Sequence, residues 1–381
     1  MTRPRVGLNL LWLLPEEAGG AEEYAIRVLR ALSQEADGVL DVTVLCNRRF
    51  PAAHPDLAAN LTIAVAPIDG GSRPTRIGTE ATWLAREARR RRLHLVHHLN
   101  NVIPLVRSTP SALTVHDLRP ITLPETVDRA HRAYLRARLG PSVRGARVVM
   151  TPSGFVRGTV IDLLRADPDR VLVVSAPLFR PRGPEGDSGI AEPFFLYPAI
   201  TNPHKNHVTL IEAFAKVAAV RPEPVLVLIG ATGSSEPEVR ATVARLGLVD
   251  RVRRLGRVSV GRLDALLRSG VGLVYPSRYE GYGLPLSEAM DAGCPVIASD
   301  VTALPEVVGE AGLLVDPDDV DGWMAGMIRL LDDAELRDRL VATGRARAAR
   351  LTPAETARRL THAYRVALEG GPAGTTRPAT G

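Results

Sequence analysis

Residues 271–290 read Val-Gly-Leu-Val-Tyr-Pro-Ser-Arg-Tyr-Glu-Gly-Tyr-Gly-Leu-Pro-Leu-Ser-Glu-Ala-Met. The apolar run 271–275, the glycine-bearing loop behind it and the helix-compatible stretch after Pro285 form one strand-loop-helix unit of a parallel sheet. Gly281 and Gly283 let another group approach the backbone closely, and Pro285 suits the first turn of a helix. The free N–H groups and positive end of that helix would receive an anion, and a diphosphate fits such a place.

Working outward, the same rhythm recurs along the chain. Short apolar runs at 6–10, 42–46, 61–65, 95–97, 112–115, 148–150 and 171–174 are separated by helix-sized segments, and so are runs at 194–197, 225–229, 252–255, 271–275, 295–298 and 313–315. Runs of this length read as buried parallel strands, so the chain is α/β with two sheets. Between them, Pro181-Arg-Gly-Pro-Glu-Gly-Asp-Ser-Gly189 has no apolar residue and reads as a linker. A length of 381 residues also favours two domains. The stretch from Gly370 onward is poor in apolar residues and is expected to be disordered.

Composition narrows the function. Apolar residues make up 45% and charged residues 24%, as in an ordinary soluble protein. The net charge of +6 comes almost wholly from arginine, since Lys205 and Lys216 are the two lysines. Aromatics are 4%, too few to interleave with the basic residues as nucleic-acid binding requires, so no nucleic-acid partner is expected. Cys46 and Cys294 lie in strand-like surroundings and read as buried reduced thiols. The apolar run 6–14 is short and lacks a small-residue cleavage site, so it reads as a first strand and the protein is expected to stay in the cytoplasm.

Glu280 lies in the loop and Glu288 one turn into the following helix. Two carboxylates flanking an anion site can accept hydrogen bonds from the hydroxyls of a ribose and a sugar. A plainer role is also open, with Glu288 complementing the helix end and Glu280 solvated. The spacing of Glu280 and Glu288, with seven residues between them inside Pro-Ser-x-x-Glu-Gly-x-Gly-Leu-Pro-x-x-Glu-Ala-Met, resembles the signature of glycosyltransferase family 4. The resemblance continues through Gly293-Cys-Pro-Val-Ile-Ala-Ser299, Leu304-Pro-Glu-Val-Val308 and Leu314-Val-Asp-Pro-Asp318, and back to Leu255-Gly-Arg-Val258.

That resemblance implies the GT-B fold, two Rossmann-like domains facing a cleft, and metal-independent sugar transfer with retention at the anomeric carbon. It implies an acceptor-binding domain over 1–182, a linker over 183–189, a nucleotide-sugar-binding domain over 190–368 whose last helix can pack back on the first domain, and a tail over 369–381. Glu288 would hold the ribose, Glu280 the donor sugar, and the backbone of Gly281, Gly283 and Leu284 the phosphates. Lys205, in Asn202-Pro-His-Lys-Asn-His207, would grip the diphosphate. A solvated loop lysine is the alternative at that position. Many relatives carry an arginine five residues earlier, where this chain has Ile200, so that phosphate contact is missing or comes from Arg257 or Arg278.

In the first half, Gly19-Gly20 resembles the family's glycine loop toward the donor. His116, in Thr114-Val-His-Asp-Leu118, would lie near the reaction centre, unless its imidazole is only packed at the sheet end. His97, His98, Asn100 and Asn101 could offer hydrogen bonds to an acceptor. Asp167-Pro-Asp169 and Asp316-Pro-Asp318 suit turns and caps rather than metal chelation, and no metal or cofactor is expected. The arginines at 86, 89–92, 129, 132, 136, 138 and 144 read as solvated helix faces that could also touch anionic lipid at the inner face of a membrane.

The expected activity is transfer of a mannose-type hexose from a nucleotide-diphosphate sugar to a hydroxyl of a glycan, lipid-linked or small-molecule acceptor. A nucleotide-sugar epimerase of the same fold and natural-product glycosylation are the alternatives. A dinucleotide oxidoreductase would need Gly-x-Gly-x-x-Gly after a strand, which the first domain lacks. A non-catalytic sugar-binding module fits less well with both Glu280 and Glu288 in place.

Overall fold

The computed structural model describes residues 3–15, 19–36, 38–126, 128–179 and 188–369. The chain divides into two compact units, one built from Met1–Pro177 with Thr352–Gly381 and the other from Leu178–Leu351. The C-terminal helix Pro353–Glu369 falls in the first unit. Its buried Ala357, Leu360, Ala363, Tyr364 and Ala367 repeat at helical spacing. That face packs on the helix Gly20–Glu35 and on the first sheet. Residues 183–187 of the expected linker and 370–381 of the expected tail lie outside the described residues.

Among the described residues the first unit holds seven strands: β1 (Arg5–Leu10), β2 (Asp41–Cys46), β3 (Thr62–Val65), β4 (Leu95–His98), β5 (Ser111–Thr114), β6 (Val148–Thr151) and β7 (Val171–Val173). Every pair is parallel, in the order β3-β2-β1-β4-β5-β6-β7. The second unit holds β8 (Phe194–Pro198), β9 (Val225–Ile229), β10 (Val252–Gly256), β11 (Gly272–Tyr275), β12 (Val296–Ser299) and β13 (Gly312–Val315). These are also parallel, ordered β10-β9-β8-β11-β12-β13. All thirteen apolar runs of the sequence are therefore strands. Their continuous apolar character follows from burial on both faces: each residue of β5, β6, β9, β11 and β12 is buried.

In both sheets the strand order reverses beside the first strand, between β1 and β4 and between β8 and β11. The loops leaving the carboxyl ends of such a pair diverge and open a crevice, which is where open α/β sheets bind ligands. Loop 199–206 follows β8 and loop 276–283 follows β11, so the two segments singled out from sequence meet at the switch point of the second sheet. Cys46 and Cys294 are buried and unpaired, and burial pushes both thiols up to about 12. No helix among the described residues is long and apolar enough to cross a membrane.

Candidate active site

At the second sheet's switch point, Lys205 Nζ donates to Glu280 Oε1 at 2.5 Å, with both side chains largely buried, 17% and 13% exposed. Glu280 is not a solvated carboxylate, nor is Lys205 a solvated loop lysine. Burial pushes the Glu280 carboxyl up, but the charge of Lys205 and hydrogen bonds from Lys205 and Ser277 outweigh it and leave the group below the usual carboxylate range. Lys205 Nζ also stands 5.7 Å from the ring centroid of Tyr275, the last residue of β11.

The two loops are fastened from several sides. Tyr197, near the end of β8, donates its hydroxyl to the Lys205 carbonyl at 2.6 Å and lies 3.1 Å from Ser277 Oγ. Arg278 N donates to the His204 carbonyl at 2.8 Å, and Glu280 N to Thr302 Oγ1 at 3.2 Å. Asn206 takes a left-handed conformation and donates to the Pro317 carbonyl, turning the chain between Lys205 and the helix His207–Val220. Behind them, Thr201 Oγ1 and Arg254 Nη2 both donate to Glu236, and Gly233 N donates to Thr201 Oγ1, which ties together the loops after β8 and β9 and the strand β10.

Gly283 caps the helix Leu284–Ala292 at φ +96°, and a Cβ there would come within 2.9 Å of the Leu304 side chain. Pro285 follows at the second helical position, so the first turn presents main-chain N–H groups and a positive helix end beside the Lys205–Glu280 pair. Glu288 is half-buried in the second turn of that helix. Arg257 is exposed just beyond β10. Arg278 is occupied by Asp318, with Nε and Nη2 at 3.1 and 2.5 Å from the same carboxylate oxygen.

The Asp-x-Asp segments act locally. Asp167 Oδ1 accepts from Asp169 N at 3.0 Å and Asp316 Oδ1 from Asp318 N at 2.8 Å, which is turn and cap geometry. Among the described residues no cluster of three or more His, Cys, Asp or Glu could hold a metal ion.

His116, His98, Asn100, Asn101, Gly19 and Gly20 belong to the first unit. His116 Nε2 lies 2.7 Å from the Leu99 carbonyl and must carry the proton there, leaving Nδ1 as an acceptor. Its ring stands edge-on to Tyr24 at 5.0 Å, and burial lowers its pKa, so the imidazole is neutral. Asn101, in a left-handed conformation, accepts from His116 N at 2.8 Å and thereby positions the histidine loop.

His98 is buried against Asn9, with Nδ1 and Nδ2 3.1 Å apart, and burial pulls its pKa down to about 3. His97 cannot offer hydrogen bonds to a ligand. It is fully buried, its nitrogens 2.9 Å from Tyr364 Oη and 2.7 Å from Thr114 Oγ1, and it anchors the C-terminal helix. Gly19 precedes the helix Gly20–Glu35 at φ +61° and ψ −135°, a conformation open to glycine, and a Cβ there would meet nothing within 4 Å.

Sequence reasoning missed Tyr197, Ser277 and Thr302, which hold the Lys205–Glu280 loops. Tyr197 left a signal, a phenol ending an otherwise apolar strand whose hydroxyl needs a partner. Also missed was Glu80, which opens a π-helical turn over Glu80–Leu84 and accepts from Asn9 Nδ2 at 3.3 Å.

Comparison with known proteins places the chain in a family. Residues 187–347 match "Glycosyl transferases group 1" and residues 18–177 match "Glycosyltransferase Family 4". O-antigen chain mannosyltransferase B of Escherichia coli is 32% identical over 266 residues, 67% of this chain and 70% of that protein. O-antigen chain mannosyltransferase RfbU of Salmonella typhimurium is 28% identical over 84% of this chain and 90% of its own length. Among solved structures, Anabaena Alr3699/HepE in complex with UDP and glucose superimposes with a TM-score of 0.75 over 95% of this chain and 100% of its own, at 16% identity. Sucrose-phosphate synthase of Thermosynechococcus elongatus gives 0.76 over 97% of this chain and 100% of its own, at 21% identity. The chain belongs to the group 1, family 4 glycosyltransferases and has their GT-B fold. It is a glycosyltransferase.

Proposed function

We propose that the protein moves a mannose-type hexose from a nucleotide-diphosphate donor to a hydroxyl of a glycan, lipid-linked or small-molecule acceptor, with retention at the anomeric carbon. The buried Lys205–Glu280 pair, set at a switch point beside the Gly283-capped helix, carries this reading. The names of the two O-antigen mannosyltransferases support the choice of sugar.

In this mechanism the donor diphosphate draws Lys205 partly away from Glu280, and Lys205 with the main chain at Gly281, Gly283 and Leu284 takes up the leaving-group charge. Glu288 accepts hydrogen bonds from the ribose hydroxyls, and Arg257 approaches the nucleotide in place of the arginine that Ile200 replaces. Glu280 and the unprotonated Nδ1 of His116 accept from hydroxyls of the sugar. The bond from the anomeric carbon to the diphosphate oxygen breaks, that oxygen takes the acceptor's proton, and the acceptor oxygen bonds to the same face of the sugar. No metal carries a step, a reading supported by the engagement of Asp167 and Asp316 in turns. Gly19 and Gly20 approach the donor, and His98, Asn100 and Asn101 line the acceptor side.

The protein works in the cytoplasm, with its arginine-bearing helices able to touch anionic lipid at the inner membrane face. Incubation with GDP-mannose and a panel of glycan acceptors tests the proposal. An α-linked product, read from its anomeric proton, is expected. A β-linked product contradicts retention, and conversion of the donor sugar without an acceptor supports the epimerase alternative.

A further inference from the structure

At the switch point of the first sheet, Asn9 near the end of β1 and His98 at the end of β4 are register partners on neighbouring parallel strands, so their side chains share a face. Asn9 is 2% and His98 3% exposed. Asn9 Nδ2 lies 3.1 Å from His98 Nδ1 and donates to Glu80 Oε1 at 3.3 Å, while Asn9 Oδ1 accepts from Leu11 N at 3.2 Å. The loop that supplies Leu11 N is itself held. Trp12 Nε1 donates to the Asn9 carbonyl at 3.2 Å, and Asn47 Nδ2 donates to the carbonyls of Leu11 and Leu13 at 3.3 and 2.7 Å. Glu80 opens the π turn Glu80–Leu84 inside the otherwise α-helical run 73–90, and such bulges concentrate at functional sites.

These contacts fix more than position. An Asn9 amide turned over would set its oxygen against the Glu80 carboxylate and its N–H groups against the Leu11 N–H, two repulsive pairs. Asn9 therefore gives one Nδ2 hydrogen to Glu80 and the other to His98. Facing a donor, His98 Nδ1 must be the unprotonated nitrogen, and the neutral ring carries its proton on Nε2. Protonating both nitrogens would set two N–H groups against each other, and burial and the charge of Arg107 also disfavour the cation. Burial raises the Glu80 carboxyl above its ordinary range, against the charge of Arg76 and the hydrogen bond from Asn9. Even protonated, a carboxyl keeps an oxygen that accepts.

His98 and His116 are thus held in opposite senses, since the Leu99 carbonyl keeps the His116 proton on Nε2 and leaves its Nδ1 to accept. His98 also lines a pocket together with Leu84, Val106 and Ser111, so its ring is not closed in on every side. We propose that Asn9 and Glu80 are positioning residues that hold His98 as a neutral Nε2–H donor, and that this ring donates to an oxygen of the acceptor sugar rather than taking a proton from it. The inference rests on the reading that places His98 on the acceptor side. It assigns Asn9 and Glu80 a role in substrate recognition that neither performs by touching the substrate.

The test reads the ring nitrogens of the full chain, labelled with 15N-histidine, by NMR, with the His98 signals assigned from their loss in His98→Gln. The parent should show His98 protonated at Nε2 and bare at Nδ1. Asn9→Asp replaces the donor with a carboxylate that accepts, so the proton should move to Nδ1. In transfer from GDP-mannose the same variant should raise the KM for the acceptor about tenfold or more, with the KM for the donor unchanged. If Asn9→Asp does not fold, Glu80→Ala takes its place and should mix the two tautomers. Glu80→Gln, whose side-chain carbonyl still accepts from Asn9, should restore the parental one. A parental ring protonated at Nδ1, or a tautomer indifferent to these substitutions, overturns the positioning role. A reversed tautomer with an unchanged acceptor KM overturns the contact with the acceptor. If no acceptor is glycosylated, the transfer reading is what fails, and the tautomer, read without substrate, still decides the positioning role.

Discussion

Lys205 and Glu280 are held together at 2.5 Å in a largely buried place, where removing one partner leaves the other uncompensated. Lys205→Ala should therefore lower turnover by roughly 10²–10³-fold, the scale of losing one donor to a developing anion, with the fold kept as judged by circular dichroism. Unchanged turnover would remove Lys205 from the leaving-group site. His207 offers a pH prediction. It is buried against Tyr197, with ring centroids 4.7 Å apart. Burial first, then the charges of Lys205 and Arg254, lower its pKa to about 4. The unfolded chain protonates near pH ~6.5 while the folded ring resists, so stability contributed by neutral His207 is lost as pH falls from there to about 4. Denaturant melts of His207→Phe, which keeps the aromatic contact, should show a flatter decline over that window than the parent. Identical slopes would count against it.

Among elements, the strands were the most legible. Doubly buried parallel strands must be nearly all apolar, and loops between them must not be, so the thirteen runs stand out in the sequence. The loop 276–283 and its helix were legible for a related reason, since Gly281, Gly283 and Pro285 are residues that a close-approach turn and a helix start demand. Long-range partners were not legible. His97 reads like a ligand-facing residue beside His98, and only the return of the C-terminal helix, which brings Tyr364 against it, shows that its nitrogens are engaged. The π turn over Glu80–Leu84 leaves no periodicity signal either, because it inserts into an otherwise helical stretch. Gly283→Ala tests the loop-helix element. At φ +96°, and against Leu304, the new methyl should cost about 1–3 kcal/mol of stability in denaturant melts and weaken nucleotide binding as well. A neutral substitution would show that the turn does not require glycine.

At the scale of the whole molecule, two parallel sheets each reverse their order beside their first strand, and each places chemically distinct residues at that switch point. The second unit gathers a lysine, two glutamates and a helix end, which suits a diphosphate flanked by hydroxyl-bearing rings. The first gathers the neutral imidazoles of His98 and His116 with Asn9 and Asn101, which suits hydroxyl groups. Such a division of chemistry is what sugar transfer between two substrates calls for. Its central element is the proposed donor diphosphate site of the second unit. The most direct test is thermal unfolding with UDP, GDP, ADP and dTDP, because a ligand that binds only the folded state raises its melting temperature. At least one nucleotide should stabilise the parent, with the shift much reduced in Lys205→Ala and Glu288→Ala. Stabilisation by none of them, or equal stabilisation of both variants, would contradict the assignment.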